Sequence, residues 1–79
     1  MPMVVKTAKT IQPGDIFRSE YGDYDNFCDF EFVSCQEHSK RTTEITVRNP
    51  NNNNVFNIYD LNPIDKVTFD VIGRKETLR

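Results

Sequence analysis

Apolar and polar residues alternate with period two along most of the chain, and that pattern organises the reading. The densest apolar run is Asn26–Gln36, with three of the six phenylalanines. Cys28, Phe30 and Phe32 share one face there, and Asp29 and Glu31 share the other. Past Phe32 the pattern slips, and Val33 and Cys35 fall on the face of the two acids. Two readings stay open: a bulge or coil that moves the strand to a second sheet, as in small barrels, or a second half covered on both faces. Thr43–Arg48 alternates cleanly, with Ile45 and Val47 inward, and should pair with this strand as an antiparallel hairpin across a charged connection, Gln36–Thr42. Val55–Tyr59 (Phe56 and Ile58 on one face) and Lys66–Ile72 (Val67, Phe69 and Val71 inward) read as further strands, the last ended by Gly73. Near the N-terminus, Val4–Thr10 reads as a strand or extended arm ending near Ile11, and Ile16-Phe17-Arg18 starts the next strand.

Turn chemistry separates these runs. In Gln12-Pro13-Gly14-Asp15 the proline presets φ at the second turn position and the glycine supplies the positive φ of the third. Asn49–Asn54 is a loop in which asparagines compete for their own backbone and tolerate left-handed conformations. Asp60–Asp65 is a tight connection with room for one 3₁₀ turn. Five or six short strands at roughly ten-residue spacing, with no helical periodicity, predict an all-β fold. The expected architecture is a small SH3-like barrel or a five-to-six-stranded antiparallel sandwich. It forms one domain over residues 1–79, with 74–79 a frayed basic tail. Its core should comprise Val5, Ile11, Ile16, Phe17, Phe30, Phe32, Ile45, Val47, Phe56, Ile58, Val67, Phe69 and Val71.

Ala8-x-x-Ile11-x-Pro13-Gly14-Asp15 before an apolar strand, with later strands closing on Val-x-Phe-x-Val, resembles small SH3-like barrel proteins of phage and mobile-element type. The resemblance implies a small binding protein, an accessory or inhibitor of a phage or mobile element. The Tyr21–Phe27 stretch is similar in character to the acidic, aromatic loop of peptide-binding SH3 domains. The chain has no tryptophan, however, and proline-peptide recognition in that family depends on one.

Charge sharpens the picture. The net charge of −2 hides a segregation: Asp15–Glu37 holds seven acids and one base, whereas the remainder holds nine bases and five acids. The acidic, aromatic residues Tyr21, Asp23, Tyr24, Asp25 and Phe27 are the first candidate site. Tyrosines supply large contact areas at interfaces, and carboxylates around them attract a basic protein partner. The alternative is nucleic-acid binding through Lys40, Arg41, Arg48 and Tyr59, with Tyr59 as a stacking platform. The sequence pI of about 5.2 runs against it. If exposed, Val55–Tyr59 is an edge strand that could pair two copies.

Catalytic and metal chemistry find little footing. His38 lies among polar residues and reads as a solvated histidine without a nucleophile to activate. Counting an EF-hand from Asp23 puts Phe27, Cys28 and Ser34 where an oxygen ligand, glycine and glutamate belong. Two cysteines and one histidine fall short of a structural zinc site. Cys28 and Cys35, seven apart, face opposite ways on a regular strand, so free thiols in a reducing compartment are expected. No catalytic residues, metal or cofactor are therefore expected. No apolar run approaches the roughly 18 residues of a membrane span, and no signal peptide is evident at the N-terminus, which points to the cytoplasm.

Overall fold

The computed structural model describes residues 3–20 and 27–75. It contains six strands: β1 (Val4–Thr7), β2 (Asp15–Glu20), β3 (Phe27–Ser39), β4 (Thr42–Arg48), β5 (Val55–Asp60) and β6 (Thr68–Arg74). One 3₁₀ turn, Ile64–Lys66, lies between β5 and β6. All six strands belong to a single antiparallel sheet in the order β1-β6-β2-β3-β4-β5. The protein is all-β, as the alternation predicts. No described helix is long and apolar enough to cross a membrane.

The sheet coils over one core of Ile11, Phe17, Phe30, Phe32, Ile45, Val47, Val67, Phe69 and Val71, with Ala8, Cys35, Phe56 and Ile58 packed against it. Every one of the nine core residues is among those expected in the core. Phenylalanines knit the strands together. Phe69 stands edge-on to Phe17 at 5.1 Å and to Phe32 at 5.5 Å. Phe30 meets Phe56 at 5.6 Å. These contacts bind β2, β3, β5 and β6 through one aromatic cluster, in geometries that ring quadrupoles favour.

Two expected core residues stay outside. Val5 is 63% exposed because β1 is a sheet margin bonded only to β6, with neither face covered. Ile16 is half-buried on the face opposite Phe17. β1 also ends earlier than expected. Thr7 closes it, its carbonyl accepting from the Thr10 and Ile11 backbone N–H groups at 3.0 and 2.9 Å.

The slip after Phe32 is a bulge, but the strand does not move to a second sheet: β3 stays paired with β4 on both sides of it. The β3–β4 register jumps between Phe32↔Val47 and Ser34↔Thr46, leaving Val33 unpaired and returning Cys35, opposite Ile45, to the core side. The opposite-face argument for the cysteines therefore fails at the bulge. Cys35 is a free thiol, and its burial pushes its pKa up. The Cys28 side chain lies outside the described residues. β3 then runs to Ser39, so most of the expected Gln36–Thr42 connection is strand, and Lys40-Arg41 alone make the turn. Gln36–Ser39 are exposed on both faces of the strand, and cross-strand contacts such as the 3.0 Å bond from Gln36 Nε2 to Glu44 Oε2 hold them, beside a fully buried Thr43 on β4.

The turns form as their residues dictate. Asp15 N–H donates to the Gln12 carbonyl at 3.0 Å, with Gly14 at φ 98°. In the asparagine loop Asn53 adopts φ 61°. There the Asn49 and Asn52 side-chain oxygens accept from the Asn51 and Asn54 backbone N–H groups at 2.8 and 3.0 Å. The final strand passes through Gly73 to Arg74, and the Lys75 N–H donates to the Gly14 carbonyl at 2.7 Å. Arg74 and Lys75 are therefore held in place rather than frayed; residues 76–79 lie outside the described residues.

Candidate functional site

The structure separates the predicted site residues into three places. The first is the β2–β3 connection. Tyr21, Asp23, Tyr24, Asp25 and the Phe27 side chain lie outside the described residues. What the structure supplies is the frame: β2 and β3 pair from Ile16↔Glu31 out to Glu20↔Phe27. The acidic, aromatic residues therefore join two adjacent strands in the middle of the sheet.

The second place is the outer end of the β3–β4 hairpin with the facing part of β5. Lys40 and Arg41 are exposed at the turn, where the Arg41 N–H donates to Ser39 Oγ at 3.3 Å. Tyr59, 53% exposed, lies opposite Glu44 and donates its hydroxyl to Glu44 Oε1 at 3.4 Å. The His38 ring stands edge-on to Tyr59 at 5.2 Å, with Nδ1 4.0 Å from Glu44 Oε1. His38 is thus a surface residue, as expected, but it sits on a strand and leans on an aromatic ring.

The third place brings together residues that sequence reasoning did not connect. Asp15 is 1% exposed. Its Oδ1 accepts from Arg74 at 2.8 Å, and its Oδ2 accepts from Lys6 Nζ at 3.0 Å and the Gln12 backbone N–H at 2.9 Å. Burial alone would push this carboxyl up. The Gln12 N–H and the two cations outweigh burial and hold it below its ordinary value. Glu31 is 5% exposed although it faces away from Phe30 and Phe32. Its Oε2 accepts from Arg48 at 3.1 Å. Lys75 Nζ lies 3.4 Å from Oε1, close enough for ionic attraction but without hydrogen-bond geometry. These two clusters tie β1, β2, β3, β4 and the end of β6 at one end of the sheet.

This arrangement divides the alternative nucleic-acid set. Arg48 is engaged by Glu31, and it lies four residues along β4 from Glu44, roughly 13 Å at strand spacing. Lys40, Arg41 and Tyr59 share the opposite end of β4. The Pro-Gly-Asp turn was a signal for an anchored Asp15, because its aspartate directly follows a tight turn. Nothing in the local alternation marks Glu31 as buried, since its cover comes from Arg48 and Lys75, far away in sequence.

Chemically, Asp15 is a fixed anion at neutral pH, saturated by its own donors, and is unsuited to moving protons. Among the described residues, no group of three or more His, Cys, Asp or Glu side chains could hold a metal ion. Comparison with known proteins found no matching family model, no similar curated protein and no similar solved structure.

Proposed function

We propose that the protein is a non-enzymatic binding module that engages a basic protein partner through Tyr21, Asp23, Tyr24, Asp25 and Phe27. The observation that supports this reading is where the acids of the segment fall: β2 and β3 are adjacent central strands, and their connection carries acids beside tyrosines. Ion pairs account for Asp15, Asp29 and Glu31, with Lys6 and Arg74, with Arg18, and with Arg48 and Lys75 respectively. The other acids of the segment are Glu20, Asp23, Asp25 and Glu37. Three of these four lie in or beside the β2–β3 connection, next to two tyrosines. Negative charge beside amphipathic rings on a rigid frame suits encounter with a cationic surface. The accessory or inhibitor role in a phage or mobile element rests on the resemblance to SH3-like barrels.

Charge reversal tests the reading. Asp23→Lys with Asp25→Lys should keep the fold, read as an unchanged circular dichroism spectrum and melting temperature. It should lose the proteins captured by the wild type from a lysate of the source cells. Capture of the same set by both forms would sink the proposal. A second reading keeps one supporting observation: Lys40, Arg41 and Tyr59 are all exposed at one end of β4, a basic and aromatic patch of the kind that binds nucleic acid.

A further inference from the structure

Beyond this reading, we propose that the protein self-associates by antiparallel pairing of β5 with β5 of a second copy, about a two-fold axis at Asn57. Among the described strands β5 pairs only with β4. Free edges invite pairing, and proteins commonly blunt them with lysine, proline, bulges or short length. β5 carries none of these within Val55–Tyr59, and its single charge, Asp60, stands at its end. Its six residues, Val-Phe-Asn-Ile-Tyr-Asp, pair with β4 without a register break. The other margin is better guarded: β1 has four residues, and its Lys6 is drawn to Asp15.

The side chains of β5 complement themselves. In a symmetric antiparallel pair centred on Asn57, Val55 faces Tyr59 of the second copy and Phe56 faces Ile58, so inner and outer faces stay aligned. The half-buried Phe56 and Ile58 would extend the aromatic and aliphatic core across the junction. On the outer face Val55 and Tyr59, each 53% exposed, would cover one another as an aliphatic–aromatic cross-strand pair.

Charge agrees with this register. Arg48 lies beside Val55 on β4, and Glu44 lies beside Tyr59. The two-fold axis sets the cationic end of one outer face against the anionic end of the other. Each outer row then reads Arg48, Val55, Tyr59, Glu44 across the junction. Two six-stranded sheets become one continuous sheet, and both free β5 edges disappear.

The test uses sedimentation equilibrium on the full chain. The wild type should be dimeric at high concentration. Val55→Lys with Tyr59→Lys sets lysine against lysine and should be a folded monomer with an unchanged circular dichroism spectrum. Mixing it with Val55→Glu/Tyr59→Glu should restore a one-to-one dimer, because each lysine then meets a glutamate. Val55→Lys/Tyr59→Glu in one chain should dimerise by itself. A wild type that stays monomeric to about 1 mM, the weak end of specific association, would overturn the proposal. So would a dimer indifferent to the double lysine variant, or one that charge-complementary mixing fails to restore.

Discussion

At the residue scale, the chain's most consequential side chain is Asp15. It stands at the end of a turn whose geometry comes from Pro13 and Gly14, and it is held by three donors from three parts of the chain. A buried carboxylate costs solvation free energy, and only charged or well-aimed donors recover it. Asp15→Asn keeps the shape and removes the charge that Lys6 and Arg74 answer. Both cations are partly exposed and regain water, so the loss should be about 2–3 kcal/mol in urea unfolding at pH 7. The pH dependence has a definite sign. The folded pKa lies below the unfolded one, so the contribution is complete above the ordinary carboxylate value of about 4 and is lost as pH falls through the folded value. The gap between wild type and Asp15→Asn should therefore narrow below about pH 4. A gap that stays constant down to pH 2 would mean that the charge of Asp15 contributes nothing to stability.

At the element scale, burial decides which strands matter. Phe69 on β6 touches Phe17 on β2 and Phe32 on β3, so Phe69→Ala removes a ring from the junction of three strands. A loss of about 3–5 kcal/mol is expected, enough to unfold much of so small a domain. Val5→Ala on the exposed β1 should change stability by no more than about 0.5 kcal/mol. Equal shifts in melting temperature for the two would show that β1 is packed after all. The same contrast marks what alternation could reveal. Strands with one buried face, such as β4, write it into the sequence at every second residue. β1 carries two valines because a β-branched residue suits any strand, and nothing local says whether a layer lies above it. The far end of β3 has the reverse problem: both faces are wet, so strand and loop carry the same polar composition. The burial of Glu31 was equally invisible, since it depends on Arg48 and Lys75, far away in sequence, covering a face that elsewhere meets water.

At the scale of the whole molecule, the charge segregation seen in the sequence becomes two different things. Part of it is internal, because cations from β1, β4 and the end of β6 neutralise carboxylates of the acidic segment across the sheet. The rest is acidic by composition in the β2–β3 connection and basic at the exposed Lys40-Arg41 turn. The acidic candidate site was legible as composition alone, and the frame that carries it, a β2–β3 hairpin, came from pairing. This division separates residues that a list of bases treats alike. In fluorescence titrations against duplex and single-stranded DNA and RNA, any binding should be weak and confined to low salt, since Lys6, Arg18, Arg48, Arg74 and Lys75, five of the ten bases, are paired with the protein's own carboxylates. Lys40→Glu with Arg41→Glu should abolish it and leave the melting temperature unchanged, because both side chains project from a turn. Arg48→Met should do the opposite, lowering the melting temperature through the loss of its bond to Glu31 while leaving the slope of log K against log salt as it was. If Arg48→Met instead flattens that slope at constant stability, Arg48 contacts phosphate, and the basic end of the sheet rather than the acidic connection is the binding face.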